Sequence, residues 1–141
     1  MIRTATSADF HAIKRLYSHL NPDDPPVTDE SVMSEIVDRP GLDLLVLDID
    51  GNIVATTYLN VIPNLSRSAQ PYAVIENVVV DKAFRGTGLG RQIMAATLAK
   101  AWEAGCYKAM LQTGSKTPRT HAFYQGCGFS PDEKTAYLAR P

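Results

Sequence analysis

Cysteine is scarce in this chain: Cys106 and Cys127 are the only two. Two cysteines cannot build a disulfide framework, and they do not have zinc-ligand spacing, so they read as reduced structural thiols. Excess charge is missing as well. The formal net charge is -1, which leaves no bulk electrostatic case for nucleic acid or an anionic membrane as partner. No apolar run approaches the roughly 20 residues of a membrane-spanning helix. The opening stretch, Met1 to Thr6, lacks the apolar core of a signal peptide, and the expected location is the cytoplasm. No set of His, Asp, Glu and Cys has metal spacing, so no metal is expected. Internal repeats, low-complexity segments and linkers are absent too, which points to a single domain over 1–141.

What the chain does have is an ordinary globular composition, 45% hydrophobic and 21% charged over 141 residues, enough for one real core. It is organised around Val78 to Arg91. A β-branched run, Val78-Val79-Val80, reads as a buried strand. It passes through a turn into Arg85-Gly86-Thr87-Gly88-Leu89-Gly90-Arg91 and then into helix formers from Gln92 to Trp102. Glycine lets the backbone approach another molecule closely. The first N–H groups of a helix have no internal partner, and the dipole there favours negative charge. The stretch therefore suits a phosphate or pyrophosphate, with Arg85 and Arg91 adding positive charge. A Walker loop would need Gly-Lys-Ser/Thr, but Arg91 follows Gly90. A dinucleotide fingerprint would space its glycines by two and then three, but here both spacings are two. The alternative is a turn that only packs a helix close to a sheet.

The remaining elements follow in order. Residues 1–6 predict a short strand. Ser7 predicts an N-cap for an amphipathic helix over 8–20, with Phe10, Ile13, Leu16, Tyr17 and Leu20 at helical spacing. The Pro- and Asp-rich segment 21–26 breaks it and either borders an acceptor site or is a plain connection. A second helix is expected over 29–38. Strands are expected over 42–49 and 53–61, joined by the hairpin turn Asp50-Gly51-Asn52, and over 72–80. The long helix should span 87–104 and stop at Gly105. A parallel strand over 106–112, a short helix from 118 to 126 and a last strand over 134–138 complete the order β-α-α-β-β-β-α-β-α-β, an α/β chain with a mixed sheet.

Arg85, Gly88 and Gly90 after a valine strand resemble motif A of the GCN5-related N-acetyltransferases. His121-Ala122-Phe123-Tyr124-Gln125-Gly126-Cys127-Gly128-Phe129 resembles that family's last-helix signature, Phe-Tyr followed by Gly-Phe. The element order is similar to the family's over nearly the whole chain. Val74-Ile75-Glu76-Asn77, Gly105-Cys106-Tyr107-Lys108 and the Phe-Tyr stretch are most similar to the glucosamine-6-phosphate N-acetyltransferase branch, mainly in the second half. The resemblance implies acetyl-CoA as acetyl donor, with its pyrophosphate at residues 85 to 91 (Arg85, Gly86, Thr87, Gly88, Leu89, Gly90, Arg91). It implies that the main chain of Val78, Val79 and Val80 meets the pantetheine arm and the thioester oxygen. The valine side chains themselves read as core. The resemblance also implies a homodimer, joined through the last strand.

Acetyl transfer to an amine needs a neutral nucleophile, a donor for the carbonyl oxygen, and a proton or cation for the departing thiolate. Glu76 is a carboxylate in an apolar strand, which is costly unless paired or solvated. It reads either as a general base acting through water or as a salt-bridged, partly exposed strand residue. Strand alternation places Asn77 on the opposite face. Tyr124 resembles the family tyrosine that hydrogen-bonds or protonates the CoA sulfur, and its alternative role is packing. Phe123 and Phe129 read as packing residues. Thr117 departs from the Asn that many relatives carry against CoA. His121 reads as a surface residue, and His11 and His19 as solvated helix positions. The expected function is acetyl transfer from acetyl-CoA to a primary amine of a small molecule. The alternatives are an amino-sugar phosphate acceptor, for which the resemblance to the glucosamine-6-phosphate branch implies that Arg140, which matches that branch's C-terminal arginine in position, binds the phosphate, a protein amine as acceptor, and a CoA-binding regulatory module without catalysis.

Overall fold

A computed structural model describes the whole chain, residues 1–141. Its strands are β1 (Ile2–Thr4), β2 (Leu42–Ile49), β3 (Asn52–Ile62), β4 (Tyr72–Val80) and β5 (Ala109–Met110). They form one sheet in the order β1-β2-β3-β4-β5. The first three pairings are antiparallel and β4 with β5 is parallel. The helices are α1 (Phe10–Leu20), α2 (Ser31–Asp38), α3 (Leu89–Glu103) and α4 (Pro118–Gly126). The parallel pair is what the expected crossover through the long helix requires.

The hairpin between β2 and β3 turns on Asp50 and Gly51, with φ of 51° and 84°. Positive φ at both central residues is the tight geometry that matches the strands' own twist. The sheet is covered on both faces. One face packs Leu45, Ala55, Leu59 and Ile75 against Ile93, Met94 and Ala101 of α3. The other packs Leu44, Val46 and Val79 against Phe10, Ile13 and Leu16 of α1 and Met33 of α2. Two hydroxyls are buried where α3 crosses β3. Thr97 Oγ1 donates to the Ile93 carbonyl at 2.8 Å, and Thr57 Oγ1 lies 2.7 Å from Thr97 Oγ1.

Several expected boundaries move. The first helix is preceded by a 3₁₀ turn over Ser7–Asp9, and Thr6 rather than Ser7 stands at the cap. The Asp9 carboxylate draws the turn to Thr6: it accepts from the Thr6 amide at 2.8 Å. It is also gripped by both Arg3 nitrogens, at 2.8 and 2.9 Å. The Arg3 guanidinium holds the Asp9 carboxyl well below the usual range, at about 2, despite burial. The strand expected over 106–112 shrinks to Ala109–Met110, paired with Ala73 and Val74. The last strand expected over 134–138 does not form. β5 is too short to offer it a ladder, and Tyr137 and Leu138 are 91% and 72% exposed.

Candidate active site

The site is built where β4 ends and α3 begins. β4 is not a uniform strand. Its register with β3 shifts between Thr56 and Tyr58, and Asn77 has φ of 51°. This is a β-bulge, an extra residue that bends the strand and re-aims the side chains after it. Before the bulge, Ala73 and Ile75 face α3; after it, Val78 and Val80 do, and Val79 faces α1. The alternation expected through Asn77 is therefore broken, and Asn77 faces the α1 side beside Tyr17 and Tyr58. β5 pairs with β4 only at Ala73 and Val74. From Ile75 onward the edge of β4 has no strand neighbour on that side, so the backbone of Val78 to Val80 borders an opening.

Past Val80 the chain tightens. The Asp81 carboxylate accepts from the Ala83 amide at 3.0 Å and caps a short 3₁₀ turn over Lys82–Phe84. Gly86 and Gly88 then take φ of 78° and 88°, values that a side chain would strain. Gly88 is the N-cap of α3 and supplies no side-chain bond, so the amides of the first turn stay free for another acceptor. Gly90 is needed for packing. A Cβ there would sit 3.1 Å from the Phe123 ring and 3.2 Å from Val80 Cγ2. Gly126 plays the same part for Arg91, whose Nη2 would lie 2.9 Å from an added Cβ.

These features line one cleft of about 930 Å³, walled by β4, the glycine turn and α4. It brings together Val78, Val79, Val80, Arg85, Gly86, Gly88, Gly90, Arg91 and Tyr124. Arg85 Nε donates to the Val80 carbonyl at 3.1 Å, which fixes that side chain across the turn. Thr87 and Leu89 belong to the turn but are not among its lining residues. Thr87 Oγ1 closes on the Phe84 carbonyl at 2.5 Å, and Leu89 packs into the core.

The cleft holds residues that sequence reasoning missed. Arg119, in the first turn of α4, lines it together with Ser115, Thr117 and Thr120. Its guanidinium lies near Gly86, 3.6 Å from where a Cβ would be. Its place after Pro118 at a helix start is a signal that could have marked it. His19 lines the cleft from the end of α1, and its Nδ1 is buried without a hydrogen-bond partner; it is not the solvated position expected. Thr117 and Thr120 share a hydroxyl contact of 2.8 Å. No carboxylate lines the cleft, and three arginines do. Free helix amides, positive-φ glycines and arginines fit a pyrophosphate, so these residues suit the CoA end of acetyl-CoA. No group of three or more His, Cys, Asp or Glu side chains is placed to hold a metal.

Tyr124 also lines the cleft. Its ring packs edge-on against Phe123 at 5.1 Å and Phe129 at 6.3 Å. Its hydroxyl makes no hydrogen bond within the protein. Burial raises its pKa above the ordinary tyrosine value, and the neighbouring Cys127 and Glu76 charges add to this. The hydroxyl is therefore a donor across the neutral range. Glu76 is exposed and lines neither this cleft nor the cavity beside it, yet it is close enough for its charge to be felt at Tyr124. Arg140 lies in the exposed terminal segment and lines neither. A second cavity, of about 530 Å³, adjoins the cleft: Leu20 lines both, and Asn77 of the cavity precedes Val78 of the cleft.

The sequence model described as "Acetyltransferase (GNAT) family" matches residues 11–129. A solved protein of Agrobacterium tumefaciens str. C58, named provisionally as an acetyltransferase, is 42% identical with a TM-score of 0.95, covering 100% of this chain and 99% of that one. An aminoglycoside N(6')-acetyltransferase type 1 of Stenotrophomonas maltophilia is 29% identical, over 99% of this chain and 92% of the relative. A glucosamine 6-phosphate N-acetyltransferase of Trypanosoma brucei brucei is 28% identical, over 97% and 93%.

Proposed function

From the premise that the chain belongs to the GNAT acetyltransferase family, we propose that it moves the acetyl group of acetyl-CoA to a primary amine of a small molecule by direct attack in a ternary complex. The observation that carries this reading is a cleft that brings free helix amides, three arginines and an unpartnered Tyr124 hydroxyl together, with a second cavity adjoining it at Leu20. Acetyl-CoA, as co-substrate, lies with its pyrophosphate on the amides after Gly88 and against Arg85, Arg91 and Arg119. Its thioester reaches the β4 edge at Val78 to Val80. The amine nitrogen attacks the thioester carbon, and backbone N–H groups at that edge stabilise the oxygen as it gains charge. The C–S bond breaks, and the Tyr124 hydroxyl gives its proton to the departing sulfur. The extra proton of the new amide nitrogen passes through water to Glu76, and solvent reprotonates Tyr124.

An amino-sugar phosphate acceptor is the second reading, favoured by the trypanosomal relative. A regulatory module without catalysis would have no need of a protonated tyrosine at the thioester end. The protein further acts as a homodimer in the cytoplasm. Support for the dimer comes from the exposed Tyr137 and Leu138 and from the uncovered edge of β5, since uncovered edges are a liability. No helix is long and apolar enough to cross a membrane. The test is release of free CoA thiol from acetyl-CoA across amino sugars, amino acids, polyamines, arylalkylamines and aminoglycosides, with the acetylated product identified by mass. Amine-dependent thiol release is expected. Tight acetyl-CoA binding with no turnover on any amine would leave the regulatory reading standing instead.

A further inference from the structure

The second cavity lies between α1, the 21–30 connection, α2 and the sheet, and its chemistry is unlike that of the CoA cleft. Its walls are mostly apolar, with Phe10, Ile13, Met33, Ile36 and Leu44, and uncharged polar side chains come from Tyr17, Ser18, Asn21, Tyr58 and Asn77. Its rim carries Leu20, Val27 and Val32, which are 38%, 50% and 47% exposed. Large apolar side chains gathered in water around one opening mark a surface that a bound group covers. A volume of about 530 Å³ is in the range of small-molecule sites. Leu20 lines both the cavity and the cleft, so an occupant of the cavity lies next to the space that holds the acetyl donor.

The charges settle which amines fit. Only Lys14, Arg15 and Asp24 bear charge among the lining residues. Arg15 is already engaged, with Nη1 on the Asp81 carboxylate at 2.5 Å and Nη2 on the Ile53 carbonyl at 2.8 Å. That leaves one carboxylate and one ammonium. A polycation with several ammonium groups finds a single counter-charge. The phosphate of a sugar phosphate finds Lys14 alone, and its several hydroxyls would exchange water for a mostly apolar wall, which is costly for each one left without a partner. A hydrocarbon group gains from the same walls.

We infer that the acceptor is a primary amine carried on an apolar body, aromatic or branched aliphatic, seated between α1 and α2 with its nitrogen at Asn77. The inference rests on the acetyl-transfer reading above and names its substrate class. Apolar walls disfavour the ammonium form, so seating itself helps to deliver the neutral nitrogen that attacks. The Tyr17 hydroxyl beside Asn77, pushed up to about 12 by burial, stays protonated and acts as a donor rather than a base.

The experiment compares kcat/KM for 2-phenylethylamine and 3-methylbutylamine with that for glucosamine 6-phosphate and kanamycin, at saturating acetyl-CoA. The apolar pair should lead by at least about tenfold, the scale on which pocket fit discriminates. Val32→Trp, at a half-exposed rim position that does not threaten the fold, should raise KM for the apolar amines by about tenfold and leave acetyl-CoA affinity unchanged. Equal or faster turnover of the sugar phosphate or the aminoglycoside overturns the inference and leaves acetyl transfer intact. So does turnover of the apolar amines with a KM indifferent to Val32→Trp. Turnover of none of the four by protein that binds acetyl-CoA in calorimetry also overturns it. Failure to bind acetyl-CoA at all overturns the reading beneath it.

Discussion

Tyr124→Phe isolates one hydroxyl. The ring keeps its edge contacts with Phe123 and Phe129, and the lost hydroxyl makes no hydrogen bond within the protein. No internal bond is broken and no cavity opens, so the stability change should stay within about 0.5 kcal/mol, as for substitutions away from buried networks. The chemistry is another matter. The sulfur becomes strongly basic only as the C–S bond breaks, so the hydroxyl is worth most in the transition state. Losing such an interaction lowers kcat and leaves ground-state affinity almost unchanged. General-acid assistance is typically worth about 10²–10⁴-fold, and water entering the cleft can replace part of it. The fall in kcat should therefore be at least about tenfold. Because Tyr124 titrates above the ordinary tyrosine value, the wild type should lose its donor only on the alkaline side, and the mutant should lack that limb. The assay is single-turnover release of CoA thiol over a pH series, with acetyl-CoA affinity measured separately by calorimetry. Equal kcat in the two proteins with chemistry rate-limiting would refute the donor role, and so would a fall in rate matched by an equal loss of affinity.

Other perturbations separate the parts of the account. Arg85→Ala removes a charge-assisted contact and should weaken acetyl-CoA binding by about 1.5–3 kcal/mol in calorimetry. Gly88→Val should weaken it more, because φ of 88° strains a side chain and the added group projects into the open cleft; wild-type affinity would show the pyrophosphate site to be misplaced. Thr97→Val leaves the buried Thr57 hydroxyl without its 2.7 Å partner and should cost about 1–3 kcal/mol in denaturant unfolding, while the Thr57→Val/Thr97→Val pair recovers much of it. The Asp9 carboxyl is depressed to about 2 in the fold against about 3.9 when unfolded. Its contribution is thus fully present above about pH 4 and lost as pH falls toward about 2, and Asp9→Asn should flatten the acid limb of a melting-temperature profile.

The strand, glycine turn and helix from Val78 to Trp102 were legible because each signal is local: β-branched residues, positive-φ glycines and an uninterrupted helical run. The hairpin at Asp50-Gly51 was legible for the same reason. The bulge at Asn77 was not, because one extra residue in a strand leaves the pattern of Val, Ile and Glu unchanged, and only pairing with β3 reveals it. That single residue decides which cavity Asn77 faces. His19 was placed in solvent because helical periodicity describes packing against the sheet and is blind to a cleft at the helix end. Arg119 sits in a segment without periodicity. The last strand was expected from β-prone residues near Tyr137, but a strand needs a neighbour, and β5 ends after Met110.

The most direct measurement is the structure of the protein with CoA bound. The account predicts the pyrophosphate oxygens within hydrogen-bond reach, about 2.7–3.2 Å, of the amides following Gly88. It also places the pantetheine along the Val78–Val80 edge and the sulfur beside the Tyr124 hydroxyl. CoA seated with its pyrophosphate away from the glycine turn, or with its sulfur remote from Tyr124, would contradict it.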